Sequence, residues 1–88
     1  MELQLYHKWT CPYSAKVRDF IQQHNLTDEV QYIDPDENAG NKQKLKDLSG
    51  KTQVPCLFIE GKPLHESEEI VNWLDQHLVR NSSSDSVY

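Results

Sequence analysis

The residues best suited to chemistry in this chain stand together in His7-Lys8-Trp9-Thr10-Cys11-Pro12-Tyr13-Ser14, where an alternating apolar and polar run gives way to a turn and then to helical spacing. A cysteine at such a junction lies at a helix N-terminus, whose unpaired N–H groups and aligned peptide dipoles favour a thiolate over a thiol. Cys11 is therefore the candidate nucleophile. Lys8, upstream in the same loop, adds a positive charge that favours the same ionised form if the loop folds back. Pro12 suits the first helical turn, where its missing N–H would have had no partner. The plain alternative is a packed, inert thiol, because free cysteine is among the most often buried residues.

Strands and helices on either side must position this stretch. Leu3 to Tyr6 alternate and read as a first strand. Val17, Phe20, Ile21 and His24 keep helical spacing from about Pro12 until Asn25. Val30, Tyr32 and Ile33 form a second strand that ends in the turn signal Asp34-Pro35-Asp36, so a βαβ unit with parallel strands results. The Lys-rich stretch from about Asn41 to Leu48 suits an exposed helix closed by Ser49-Gly50, its charge a solvated face. Cys56-Leu57-Phe58-Ile59 reads as a buried strand that Glu60-Gly61-Lys62-Pro63 turns back towards Leu64, a β-hairpin. Ser67-Glu68-Glu69 supplies an N-cap and acidic first turn, with Ile70, Trp73, Leu74 and Leu78 on one face of a last helix. Residues 80–88 are Ser-rich, lack apolar periodicity and read as a frayed tail after one domain over 1–79.

Composition narrows the function classes. The 88 residues hold one core and need no staples. With 14 acidic against 9 basic residues and a net charge of −5, the chain is a poor partner for nucleic acid, and any anion site must be local, built from Lys8 and helix N-termini. Two cysteines far apart do not form the framework of a secreted, disulfide-rich domain, which points to a reducing compartment. The start Met1-Glu2-Leu3-Gln4 lacks a signal peptide's basic and apolar regions, and no apolar run has the length of a membrane span, so a cytoplasmic protein is expected. The histidines at 7, 24, 65 and 77 have no metal-site spacing to a cysteine, and Trp9 and Trp73 read as packing residues.

The order β-α-β-α-β-β-α, with Cys11-Pro12-Tyr13-Ser14 after the first strand and Val54-Pro55 before the third, resembles the thioredoxin fold and within it the glutaredoxins. The segments carrying this resemblance are Lys8 to Ser14, Gln53-Val54-Pro55 and Leu64-His65-Glu66-Ser67-Glu68-Glu69-Ile70, and it extends over residues 2–79. It implies an α/β fold with a four-stranded mixed sheet and three helices. Two departures, Gln53 before Val54-Pro55 and Glu66-Ser67 where glutaredoxins carry a Gly-Gly pair, look like the N-terminal domain of glutathione transferases. Ser14 stands where dithiol glutaredoxins have their second cysteine, so the resemblance implies a monothiol site.

The resemblance further implies a monomeric, glutathione-dependent oxidoreductase acting on glutathionylated or disulfide-containing proteins, with glutathione as co-substrate, Cys11 as nucleophile and no nucleic-acid or membrane partner. Lys8 would pair with the glycine carboxylate of glutathione, and Tyr13 would line the groove beside the sulfur. Val54 would pair its backbone with the cysteinyl unit like an added strand, with Pro55 cis. Backbone N–H groups of Ser67 and Glu68 would hold the γ-glutamyl carboxylate, and Glu66 would take its ammonium. The plain readings of these residues are a solvated Lys, a helix-start aromatic, an edge proline and simple helix capping. Cys56 reads as a small buried residue or, alternatively, a resolving thiol. Two other readings of the whole stay open: a dimeric iron–sulfur cluster carrier, which Pro12 disfavours because that group has Cys-Gly-Phe-Ser, and a binding module without catalysis.

Overall fold

The computed structural model describes residues 2–79; the expectation of a frayed tail over 80–88 lies outside the described residues. Four strands, β1 (Leu3–Tyr6), β2 (Gln31–Ile33), β3 (Cys56–Ile59) and β4 (Lys62–His65), form one sheet in the order β2-β1-β3-β4. β1 and β2 run parallel, with Leu5 opposite Tyr32, whereas β3 lies antiparallel to β1 and β4 antiparallel to β3. Helices α1 (Pro12–Gln23), α2 (Ala39–Ser49) and α3 (Ser67–Leu74) complete the expected β-α-β-α-β-β-α order, and a π-helical turn over Asp75–Val79 continues α3.

The two-residue side-chain period of the strands divides the interior in two. On one face Leu3, Leu5 and Leu57 pack with Val17 and Ile21 of α1 and Ile70 and Leu74 of α3. On the other, Tyr6, Cys56 and Phe58 pack against Leu45 of α2. Both faces of the sheet are thus covered. Trp73, expected on the apolar face of α3, is only half-buried and stacks on His77 at 4.5 Å.

The ends of the elements follow from local chemistry. α1 closes with Asn25 at φ 57°, the Leu26 N–H on the Ile21 carbonyl at 2.8 Å and the Asn25 N–H on Gln22, a Schellman motif with Leu26 buried behind it. α2 begins two residues earlier than its apolar pattern indicated, because the Asn38 side chain accepts the Asn41 N–H and caps it; Gly50 at φ 84° ends it. The β3–β4 turn puts both Glu60 and Gly61 at positive φ, the geometry whose twist matches a two-residue hairpin. Pro63 sits on the edge strand β4, where a missing N–H costs least. At α3 the sequence expectation is corrected: the cap position is Glu66, at φ 70° and without a side-chain capping bond, and Ser67 is the first helical residue.

Candidate functional site

β1 carries the chain to the Lys8–Cys11 turn, closed by the Cys11 N–H on the Lys8 carbonyl at 3.1 Å, and α1 starts directly after it. Cys11 is the N-cap of α1, in extended conformation, with Pro12 in the first turn. Its thiol is half-buried. Burial alone would push its pKa up, but the N–H groups of Ser14 and Tyr13, the Ser14 hydroxyl and the Arg18 charge outweigh that and bring it below the ordinary 9.0. Ser14 is itself fully buried, and its Oγ accepts the Lys8 N–H at 3.3 Å. Ser14 is therefore a polar support of the Cys11 thiol and of the turn that carries it.

Lys8 does not play the part expected of it next to Cys11. Its ammonium lies 3.2 Å from an oxygen of Asp36, on the turn after β2, and it is not among the groups that lower the Cys11 pKa. That turn is held by the Asp36 N–H on Asp34 Oδ1 at 2.8 Å, an Asx-type bond that brings Asp36 to the lysine. The cation that acts on Cys11 is Arg18, to which residue type and spacing alone assigned no role. It is 7% exposed, and its guanidinium reaches the carbonyls of Lys8 at 3.0 Å and Trp9 at 3.3 Å and His7 Nδ1 at 3.0 Å. The signal was available: Ser14, Val17, Arg18 and Ile21 share one helical stripe, and all four are buried. An arginine on the apolar stripe of a short helix needs buried acceptors, and a turn next to a cysteine offers them.

Beside the turn lies a groove of about 480 Å³ between the start of α1, the segment before β3 and the start of α3. Of the expected contact residues, Tyr13, Val54, Pro55, Glu66, Ser67 and Glu68 all line it, together with Lys16, Gln53 and Glu69, which were not foreseen. Lys8 does not line it. The Val54–Pro55 bond is cis. Lys16 pairs with Glu68 at 3.5 Å across the groove and Gln53 Nε2 approaches Glu66 Oε1 at 3.5 Å, both in exposed settings. Two aromatics flank Cys11 in the open: Tyr13 is 65% exposed, and Trp9, expected to be a packing residue, is 63% exposed with its ring 4.7 Å from the Arg18 guanidinium. Cys56 is fully buried, and burial pushes its pKa to about 11.

Cys11 at the start of α1 thus stands near a groove walled by the cis-proline segment and the start of α3, and the chain is similar to known proteins. The family model described as "Glutathione S-transferase, N-terminal domain" matches residues 10–77. The chain belongs to this family. Among its relatives, a probable glutathione S-transferase of rice, GSTU6, is 35% identical over 77 residues, which is 85% of this chain and 31% of that protein. Glutaredoxin 3 of Escherichia coli is 25% identical over 68 residues, 77% of this chain and 80% of that protein. The crystal structure of a glutathione transferase family member from Pseudomonas fluorescens Pf-5, with bound glutathione, superposes with a TM-score of 0.70 at 25% identity, covering 85% of this chain and 38% of that one. The chain thus spans about a third of the transferase and most of the glutaredoxin. This glutathione transferase N-terminal domain is a thioredoxin-fold, glutathione-related domain, and among its described residues no helix is long and apolar enough to cross a membrane.

Proposed function

We propose that this domain is a glutathione-dependent thiol–disulfide oxidoreductase working through a single cysteine, Cys11. The observation that carries the reading is the pairing of a thiol whose pKa is lowered at the N-cap of α1 with the buried serine at position 14, beside a groove wide enough for a tripeptide. The glutaredoxin relative and the glutathione-bound family member support it. The Cys11 thiolate attacks the glutathionyl sulfur of a mixed disulfide. That S–S bond breaks, the substrate cysteine leaves as a thiolate and takes a proton from solvent, and Cys11 carries the glutathionyl group. A free glutathione, having lost its thiol proton to solvent, attacks that sulfur, releasing glutathione disulfide and restoring the Cys11 thiolate. The substrate sulfur is thereby reduced and the sulfur of the incoming glutathione oxidised.

In the groove, glutathione lies along Val54 in the manner of an added strand, with Pro55 and Tyr13 beside its sulfur. Its γ-glutamyl carboxylate meets the N–H groups of Ser67 and Glu68, its ammonium meets Glu66, and its glycine carboxylate takes Lys8 from Asp36. Glutathionylated or disulfide-containing proteins are the substrates, met by the exposed Trp9 and Tyr13. The test is glutathione-dependent release of glutathione from a glutathionylated peptide: catalysis above the uncatalysed exchange is expected, and its absence at neutral pH defeats the proposal. A second reading, addition of glutathione to an electrophile, is favoured by the family match over residues 10–77. Turnover of a chromogenic electrophile without turnover of the mixed disulfide would put it first.

A further inference from the structure

Arg18 carries more than the packing of α1. A guanidinium removed from water needs acceptors for its fixed fork of donors. Here the acceptors are two backbone carbonyls, those of Lys8 and Trp9, and His7 Nδ1, all from the loop that leads to Cys11. Among the described residues no carboxylate forms an ion pair with it. The Lys8 carbonyl accepts from Arg18 and also from the Cys11 N–H, so one oxygen links the guanidinium to the turn that sets the cysteine at the helix start. We propose that Arg18 is the positioning residue of the Cys11 turn: its fork holds the Lys8 and Trp9 carbonyls so that Cys11 Sγ meets the first N–H groups of α1, and its unpaired charge favours the sulfur anion. The inference rests on the reading of Cys11 as the nucleophile.

The other ionisable groups around this turn leave Arg18 as its effective cation. Lys8 is matched by Asp36. Tyr32, whose ring meets His7 and Trp9, has its pKa raised by burial and stays neutral. His7 is buried, accepts from Arg18 and has its pKa lowered by burial and by the Arg18 charge, against the opposing pull of Asp34; it too is neutral at pH 7. A guanidinium holding its place for packing alone would leave the titration of Cys11 unmoved when replaced. One that positions and polarises the turn would not.

The experiment compares wild type with Arg18→Lys and Arg18→Met in the full chain. It follows the pH dependence of Cys11 alkylation by iodoacetamide, with adducts located by peptide mass spectrometry and melting temperatures measured in parallel. Arg18→Met is expected to move the alkylation midpoint up by about half a unit to one unit and to slow alkylation at pH 7 by about three- to tenfold. Arg18→Lys is expected to move it by less, since an ammonium keeps the charge but cannot fork across two carbonyls. Midpoints unchanged in both, whatever stability is lost, would overturn the proposal. Should Arg18→Met fail to fold, Arg18→Lys decides alone: a raised midpoint supports the role and an unmoved one removes it. Alkylation needs no glutathione, so a wild-type protein that does not reduce mixed disulfides defeats the functional reading while leaving this measurement intact.

Discussion

The two cysteines place one functional group in opposite surroundings. Burial pushes both thiols towards the neutral form. At Cys11 that push is overcome by two N–H groups at the start of α1, the Ser14 hydroxyl and the Arg18 charge. At Cys56, on the first residue of β3 among Tyr6, Leu45 and Phe58, only the Leu64 N–H and the charge of Lys51 oppose it, and the pKa reaches about 11. The lesson is that a thiol's ionisation follows from donors aimed at the sulfur as much as from burial: α1 presents two free N–H groups to one cysteine, whereas one strand N–H reaches the other.

The largest effect should come from exchanging the fates of these two residues. Cys11→Ser should lower mixed-disulfide reduction by at least about a hundredfold, because the hydroxyl is a far weaker nucleophile near neutral pH. Cys56→Ser should keep most of the activity. A dead Cys56→Ser beside an active Cys11→Ser would reverse the comparison. A sharper version uses oxidised glutathione on the wild-type chain. Intact-mass spectrometry should find one glutathionyl group, on Cys11, since Ser14 cannot displace it; a Cys11–Cys56 disulfide as main product would make Cys56 a resolving thiol.

Next in size is the alkaline stability limit set by Cys56. Its folded pKa of about 11 lies above its unfolded value of 9.0, so its contribution is fully present below pH 9 and is lost as pH rises through 11. Two units correspond to roughly 2–3 kcal/mol. Urea melts at pH 8 and pH 11 should show that much more loss in wild type than in Cys56→Ala. Equal losses would mean that Cys56 ionises without disturbing the fold.

How much of this was legible beforehand depends on how local each cause is. Strand alternation, the Asn25 and Gly50 stops and the Glu60-Gly61 turn depend on neighbours in sequence, and these elements stand where the residues placed them. Cys11 at a helix start was likewise local. Lys8 was not: its partner Asp36 comes from the turn after β2, and only the parallel pairing of β1 with β2 brings the two together. Arg18 was visible as an arginine on an apolar stripe, but its acceptors are backbone carbonyls, which no residue type advertises. Ser67 was read as a cap because serine caps well, yet the chain enters α3 through Glu66 at positive φ, a conformation that side-chain preference would assign to glycine.

The Lys8–Asp36 pair yields a smaller effect of opposite sign. Both side chains are partly exposed, so the pair itself contributes little stability. It does occupy the ammonium that, under the proposed binding mode, the glycine carboxylate of glutathione takes from Asp36. Asp36→Asn should therefore tighten glutathione binding by about two- to fivefold, with no gain for the glycyl ethyl ester. Calorimetric titration with both ligands separates the cases, and an equal gain for the ester would mean that Lys8 does not meet the glycine carboxylate.

The smallest expected effect tests the far end of the groove, where Glu66 lines the wall and, unlike Cys11 in its ordinary extended conformation, holds its backbone at φ 70°. Its carboxylate is exposed, so loss of one charge-assisted contact there should weaken glutathione binding only about two- to threefold. Glu66→Gln should show that loss, and an analogue lacking the γ-glutamyl unit should bind both proteins alike. The backbone is a separate matter. A non-glycine residue at φ 70° costs on the order of 1 kcal/mol or more, and such outliers collect at ligand sites. Glu66→Gly should thus raise the melting temperature while weakening glutathione at least as much as Glu66→Gln does. A stabilised Glu66→Gly that binds glutathione as wild type would show that the carboxylate touches no ligand, and that the strained peptide serves only to aim the Ser67 and Glu68 N–H groups into the groove.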